Sequence, residues 1–403
     1  MTTIESTANS QNPLGRRLAP LFYAATSATF FAASSAPTPL YRIYQQAFAF
    51  SPVLITVIFA VYAFALLAAL LIVGSISDHL GRRPVIFASL LLNMVAMVLF
   101  LMADGPNWLI AARVVQGLAT GAAASSIGAA LVDLDPAKGS VTNSIAPLAG
   151  MAIGALGTSA LVQYAPAPMF LVYAIVLVLL VVQAALIWMI PETTRRRAGL
   201  LASLKPDVTI PPQARRTLLA LTPINIAVWA LAGFYLSLIP SLVSTTTGST
   251  APLVGGSVVA ALTISAATTV FLLRKKPAAT SLTFGIPTMT LGILTIVAGV
   301  HTAQVPILIV GTLIAGAGLG TNFVAAVRSI MPLAKPDERA GLLSAYYIQS
   351  YLAFSLPAIL AGFLSKAVGY TETTDIYAVG ILLLVGSGVL ALRAGWEKMA
   401  TSA

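Results

Sequence analysis

Two apolar runs stand back to back with almost nothing between them. The run from Pro52 to Ile76 contains no charged residue, and neither does the run from Val85 to Ala103. Each is long enough to cross a bilayer, which needs roughly 20 apolar residues. The stretch that joins them, Gly74-Ser-Ile-Ser-Asp78-His-Leu-Gly81-Arg82-Arg83-Pro84, is too short to link domains. It forces an antiparallel helix hairpin that turns at a membrane surface. Gly74 and Gly81 let the backbone turn and approach closely. Arg82 and Arg83 mark the cytoplasmic side. Asp78 can pair with them or sit against the positive N-terminal end of a neighbouring helix.

The same pattern recurs along the chain. Twelve apolar spans are expected near 19–40, 52–76, 84–103, 107–132, 141–163, 168–190, 217–243, 252–274, 281–300, 305–330, 341–365 and 375–393. The chain is 58% hydrophobic and 8% charged, against about 25% charged in a soluble domain. The net charge of +10 lies in the loops, so it reports topology and not nucleic-acid binding. Eighteen of the 22 Lys and Arg fall on the side of the termini, Arg42 and Lys366 fall opposite, and Arg113 and Arg328 lie within or at the edge of spans. Both termini are therefore expected in the cytoplasm, in a multi-pass protein of the plasma (inner) membrane. There is no cysteine, so disulfide and thiol chemistry are excluded.

The expected organisation is all-α: a cytoplasmic tail (1–18), a six-helix bundle (19–190), a central loop (191–216), a second six-helix bundle (217–393) and a short tail (394–403). The central loop reads as a plain linker. The halves look like a parallel repeat. Pro52, Pro106 and Pro136 are each followed by a proline 200 residues later, at Pro252, Pro306 and Pro336, and Pro39 is matched by Pro240. At that offset Gly74, Asp78 and Gly81 correspond to Arg274, Ala278 and Ser281, and Arg113 to Leu313.

The hairpin turn matches every fixed position of G-x-x-x-D-x-x-G-R-[RK] and so resembles the loop signature of the major facilitator superfamily; Pro-Glu-Thr at 191–193 ends span six as it often does there. The resemblance covers nearly the whole chain. It implies two pseudo-symmetric bundles that expose a shared pocket to each side in turn. It also implies that an acid at Asp133 completes a charge network with Arg82 or Arg83, with Asp78 facing the start of span eleven, as a conformational switch; a solvated loop acid is the alternative. Arg113-Val-Val-Gln116-Gly117 resembles the superfamily's span-four R-x-x-Q-G, which implies a role for Arg113, with Gln116 on the same face, in substrate or proton handling. The alternatives are snorkelling to the outer surface or a structural hydrogen bond.

Span five carries Pro147, Gly150 and Gly154, a bend and a smooth packing face. It resembles the span-five motif of drug:proton antiporters, except that Ala146 stands where a glycine should precede the proline. Export is therefore a lean, and a general packing face fits as well. The helices that line the cavity in this superfamily offer Ser34, Asn225, Trp229, Tyr235 and Asn322, and span eleven adds Tyr346 and Gln349. These neutral polar and aromatic groups suit an amphiphilic small molecule held by many weak contacts, though each serves equally for helix packing.

No Asp, Glu or His lies mid-membrane in spans one, five or seven. If protons couple transport, the machinery must be Asp133, Asp78, Arg113 or Asp104. His79 and His301 fall in expected loops. There is no convergent catalytic set, no metal cluster and no nucleotide-binding loop, so an enzyme or an ATP-driven pump is disfavoured. The expectation is a monomeric secondary transporter in the bilayer. It moves a small-molecule substrate, with no cofactor beyond a proton gradient and no nucleic-acid partner. Uptake or facilitated diffusion of a neutral metabolite such as a sugar, and a non-transporting membrane sensor, are the other readings.

Overall fold

Proline sets where the helices begin. In the computed structural model, which describes residues 13–194, 198–200, 204–249 and 251–400, eight helices start on a proline, whose missing N–H is harmless in the first turn. The first half holds α1 Pro13–Ser35, α2 Pro37–Phe48, α3 Pro52–Val73, α4 Ile76–Leu80, α5 Arg82–Leu101, α6 Pro106–Leu134, α7 Pro136–Tyr164 and α8 Pro168–Leu186. The second holds α9 Pro212–Thr247, α10 Pro252–Leu272, α11 Ala278–His301, α12 Val305–Ile330, α13 Arg339–Val368 and α14 Tyr370–Ala400. No strand occurs among the described residues.

Eleven of these helices are long and apolar enough to cross a membrane. The twelfth pass is the pair α1–α2, whose α1 is rich in Ser and Thr. α8 and α14 stand on the outside with bare apolar faces, where Val178 is 62% and Leu383 is 69% exposed. Apolar surface on that scale needs a hydrocarbon surround. We call the end carrying the 74–83 turn and the start of α1 the basic end, and the opposite end the far end.

Several boundaries differ from the sequence expectation. The first pass starts at Pro13, inside the expected tail, and breaks at Ala36, because Pro37 and Pro39 cannot donate to the preceding turn. The 74–84 turn is not loop throughout: it folds a short helix, α4, with Asp78 in its first turn. Only Gly81 has positive φ, +104°, while Gly74 is in the ordinary right-handed region at −54°. The central loop is shorter than expected, since α9 begins at Pro212. α14 runs past Arg393 to Ala400. The basic run 195–197 and residues 1–12 lie outside the described residues.

The repeat is visible in the packing. Gly117 and Gly121 of α6 lie against the carbonyls of Tyr62 and Leu66 on α3; Gly316 and Gly320 of α12 lie against those of Leu262 and Ala266 on α10. A side chain at any of the four would strike that backbone. These contacts fix an offset of 199 between α6 and α12, not 200, because α12 starts one residue ahead of Pro306. The counterpart of Arg113 is therefore Thr312 and not Leu313.

The hydrogen bonds described between the halves lie at the far end. Thr38 Oγ1 donates to Leu236 O at 2.9 Å, Arg42 to Ser244 Oγ, and Leu253 N to Gln163 Oε1 at 3.2 Å. Gly256 abuts Ser159, and Gly362 abuts Thr56. At the basic end the ties named below stay within one half.

Candidate functional site

The break in the first pass creates the first polar site. Pro37 has no N–H, so the carbonyl of Ala33, four residues back, has no helical partner. Gln116 Nε2 donates to it at 2.9 Å. Arg113 donates to the neighbouring Ser34 carbonyl at 2.9 Å and to Gln116 Oε1 at 2.7 Å, and its guanidinium lies 4.1 Å from the centre of the Tyr62 ring. Arg113 is 1% exposed, so it does not snorkel to the outer surface. No carboxylate forms an ion pair with it among the described residues. Insertion of a mid-helix Arg costs about 2.5–3.5 kcal/mol. Two hydrogen bonds from a charged donor at about 1.5–3 kcal/mol each, with a desolvated ring contact of about 2, are enough to hold it there.

The C-terminal half brings together four of the seven cavity candidates. Asn225 Nδ2 donates to Gln349 Oε1 at 2.9 Å and to Ser350 Oγ at 3.0 Å, and Gln349 Nε2 donates to Thr222 Oγ1 at 2.7 Å. One helical turn on, Trp229 packs against Phe323, Tyr351 and Phe354, with Tyr346 and Tyr347 beside them. Three polar atoms in this box are buried without a well-formed hydrogen bond: Trp229 Nε1, Asn225 Oδ1 and the Tyr346 hydroxyl. Phe354 meets Phe59 of α3 across the seam, with ring centres 4.8 Å apart. Tyr62 follows Phe59 by three residues, so the Arg113 site and the aromatic box share one mid-span wall.

The other candidates serve elsewhere. Tyr235 bonds to Thr312 Oγ1 at 2.7 Å, and Asn322 is enclosed against Gly285 and Met289. Ser34 donates its own hydroxyl back to Phe31 O. Gly150 and Gly154 abut the Ala28 and Ala32 carbonyls of α1, a close helix contact one turn beyond Pro147.

At the basic end, Arg82 is 6% exposed and holds Asp78 at 2.6 Å, Asp133 at 3.1 Å and Ser77 Oγ at 2.6 Å. Arg83 instead donates to the Trp188 carbonyl at 2.9 Å and lies over its ring. Asp78 lies in the first turn of α4 and its ion-pair partner is Arg82, so it does not take the N-terminal end of α5. The helix end is taken by Glu192, whose carboxylate accepts from Arg82 N at 2.9 Å and Arg83 N at 3.1 Å. Thr193 Oγ1 reaches Asp133 at 3.2 Å. The central segment is therefore more than a linker: Pro-Glu-Thr caps α5. Glu192 also explains Gly81, where an added Cβ would meet its carboxylate at 2.7 Å. His301 ends α11, not a loop, and pairs with Asp375 at 3.0 Å. Asp104 is exposed. A cavity of about 300 Å³ opens at the far end, lined in part by Arg42, Gln46, Ser244 and Ser249, away from the mid-span wall.

Sequence reasoning missed Tyr62, Tyr351, Phe354 and Glu192. The aromatics carried a weak signal, spaced by three on one helix face; Glu192 carried the Pro-Glu-Thr itself.

Two repeated helical halves, closed together at one end around a polar mid-span wall, define a membrane transporter of the two-bundle type. A family model described as Major Facilitator Superfamily matches residues 22–304, and the chain belongs to that superfamily. No curated protein matches. Among solved structures, the crystal structure of the human organic anion transporter MFSD10 (TETRAN) is similar at 16% identity, with a TM-score of 0.65 over 94% of this chain and 100% of that one. That likeness shows the fold. The chain is an integral multi-pass transporter with a small-molecule substrate.

Proposed function

We propose that this protein exports a small amphiphilic drug or metabolite by alternating access, driven by the proton gradient, from a cytoplasm that holds both termini, at the plasma (inner) membrane. The observation that carries the substrate class is the mid-span wall: aromatic rings, neutral polar atoms without well-formed hydrogen bonds and no fixed carboxylate. Such a wall holds a solute by many weak contacts. The buried Arg113 beside it favours a solute with some negative charge, as does the likeness in fold to a human organic anion transporter. In this reading the Arg82 cluster is the switch. Asp78 exchanges Arg82 for the start of α13 when the basic end closes.

A second reading, uptake or facilitated diffusion of a neutral metabolite such as a sugar, is favoured by the lack of Asp, Glu or His mid-membrane. Flux in proteoliposomes, across a chemically diverse panel with and without an imposed pH gradient, separates the two. Export of amphiphiles that accelerates with an inward proton gradient supports the first. Sugar flux indifferent to the gradient replaces it with the second.

A further inference from the structure

The α10–α11 turn, residues 273–277, is the second-half counterpart of the turn that carries Arg82. The acids that occupy the first have no equivalent in the second: at the repeat offsets Asp78, Asp133 and Glu192 become Ala278, Pro332 and Leu392. The cations remain. Arg274, Lys275 and Lys276 follow one another, and Arg328 at the end of α12 joins them. None of the four forms an ion pair among the described residues.

Two of these cations are held in place. Arg328 donates to Leu273 O at 3.2 Å and reaches Lys276 O at 3.5 Å. Arg274 donates to Phe271 O at 2.6 Å, with its guanidinium 3.8 Å from the Phe271 ring centre. Each uses only its Nη1 amino group on backbone carbonyls, and a guanidinium has five N–H donors. Lys275 and Lys276 are exposed. On the membrane side of the turn the surface is apolar: Phe271 is 47%, Leu272 63% and Phe284 45% exposed. A solvated topology signal needs neither the fixed guanidinium groups nor the bare apolar flank.

We infer that this turn binds the phosphate of an anionic phospholipid, with the headgroup on Arg274, Lys275, Lys276 and Arg328 and the acyl chains along Phe271, Leu272 and Phe284. The site lies apart from the mid-span wall and does not depend on what is transported. Its ligand chemistry is a phosphate anion, and the apolar flank assigns the source as lipid and not free phosphate.

The test is native mass spectrometry of the full-length protein titrated with phosphatidylglycerol, with phosphatidylcholine as the neutral reference. The variant R274Q/K275Q/K276Q is compared with K205Q/R215Q/R216Q, which removes the same charge from exposed positions at the same end. Loss of about fivefold in affinity per cation predicts phosphatidylglycerol binding weaker on the order of 100-fold in the first variant. The second is expected to bind as the unaltered protein does. Equal retention by both variants, or equal loss, overturns the site, since it would then be absent or generic. A third arm adds millimolar inorganic phosphate before the lipid. Undisturbed lipid binding supports the lipid assignment; full displacement overturns it in favour of a free anion. Circular dichroism melts of both variants establish that any loss occurs in folded protein.

Discussion

Arg113 and Thr312 occupy the same place on repeat-related helices, yet one is a buried cation and the other a buried hydroxyl. Their neighbours explain the difference. The helix facing Arg113 is broken at Ala36, which leaves the Ala33 and Ser34 carbonyls to be satisfied by Gln116 and Arg113. The helix facing Thr312 is the continuous α9, and Thr312 meets a side chain, the Tyr235 hydroxyl. A membrane interior has no water to fill an open carbonyl, so a broken helix calls for donors from its neighbour. The second half obeys the same rule once. Pro240 frees the Leu236 carbonyl, and Thr38 of α2 crosses the seam to take it. The duplicated plan is thus kept by glycine contacts, while the breaks at Pro37 and Pro240 are each met by a polar side chain from another helix.

The largest test of this comparison is to give the first half the residue of the second. R113T leaves the Ser34 carbonyl and Gln116 Oε1 short of a donor, at about 1–3 kcal/mol each. We expect flux to fall by about tenfold to 100-fold and detergent melting temperature to drop. R42A, at the far end, is expected to do less in both assays. R113K would restore charge without the fork of donors, and so only part of the flux. Equal, small effects of R113T and R42A would break the comparison.

The switch cluster is next. D78N is expected to cripple transport while expression and ligand binding hold. Asp78 is 41% exposed, so the stability carried by its ion pair is no more than about 1 kcal/mol. Undiminished flux by D78N would remove the switch. G81A follows, with a backbone at φ +104° and Glu192 in the way; we expect a loss of about 1–3 kcal/mol by thermal melting. Its counterpart Ser281 is an ordinary residue in α11, and S281G should cost no more than about 1 kcal/mol. A smaller effect than that of G81A belongs to E192Q. Its one amide oxygen can accept from only one of the two α5 N–H groups that the carboxylate holds, so one hydrogen bond and the charge–dipole part are lost, about 1–2 kcal/mol in the same melt.

The two-bundle architecture was legible because apolar length, charge asymmetry and starting prolines all point the same way. The repeat was legible too, but its register was off by one in α12. Proline spacing marks helix starts, whereas the packing glycines set the true alignment. Arg113 could be placed on a helix face but not among its partners. Those partners are the backbone carbonyls of another helix, which any sequence could supply. Tyr235 and Asn322 looked like cavity residues because a polar side chain reads the same whether it meets a solute or a neighbouring helix. Glu192 escaped because its partners, the first N–H groups of α5, are more than a hundred residues away in the chain.

The central claim is that the halves, tied together at the far end in this structure, must part there for transport. The chain has no cysteine, so a single engineered pair is clean. A Cβ built at Gly362 lies 3.1 Å from that of Thr56, within small adjustment of disulfide geometry. For T56C/G362C in proteoliposomes, the account predicts that oxidation abolishes flux and reduction restores it. Full flux with the disulfide verified by mass would contradict it.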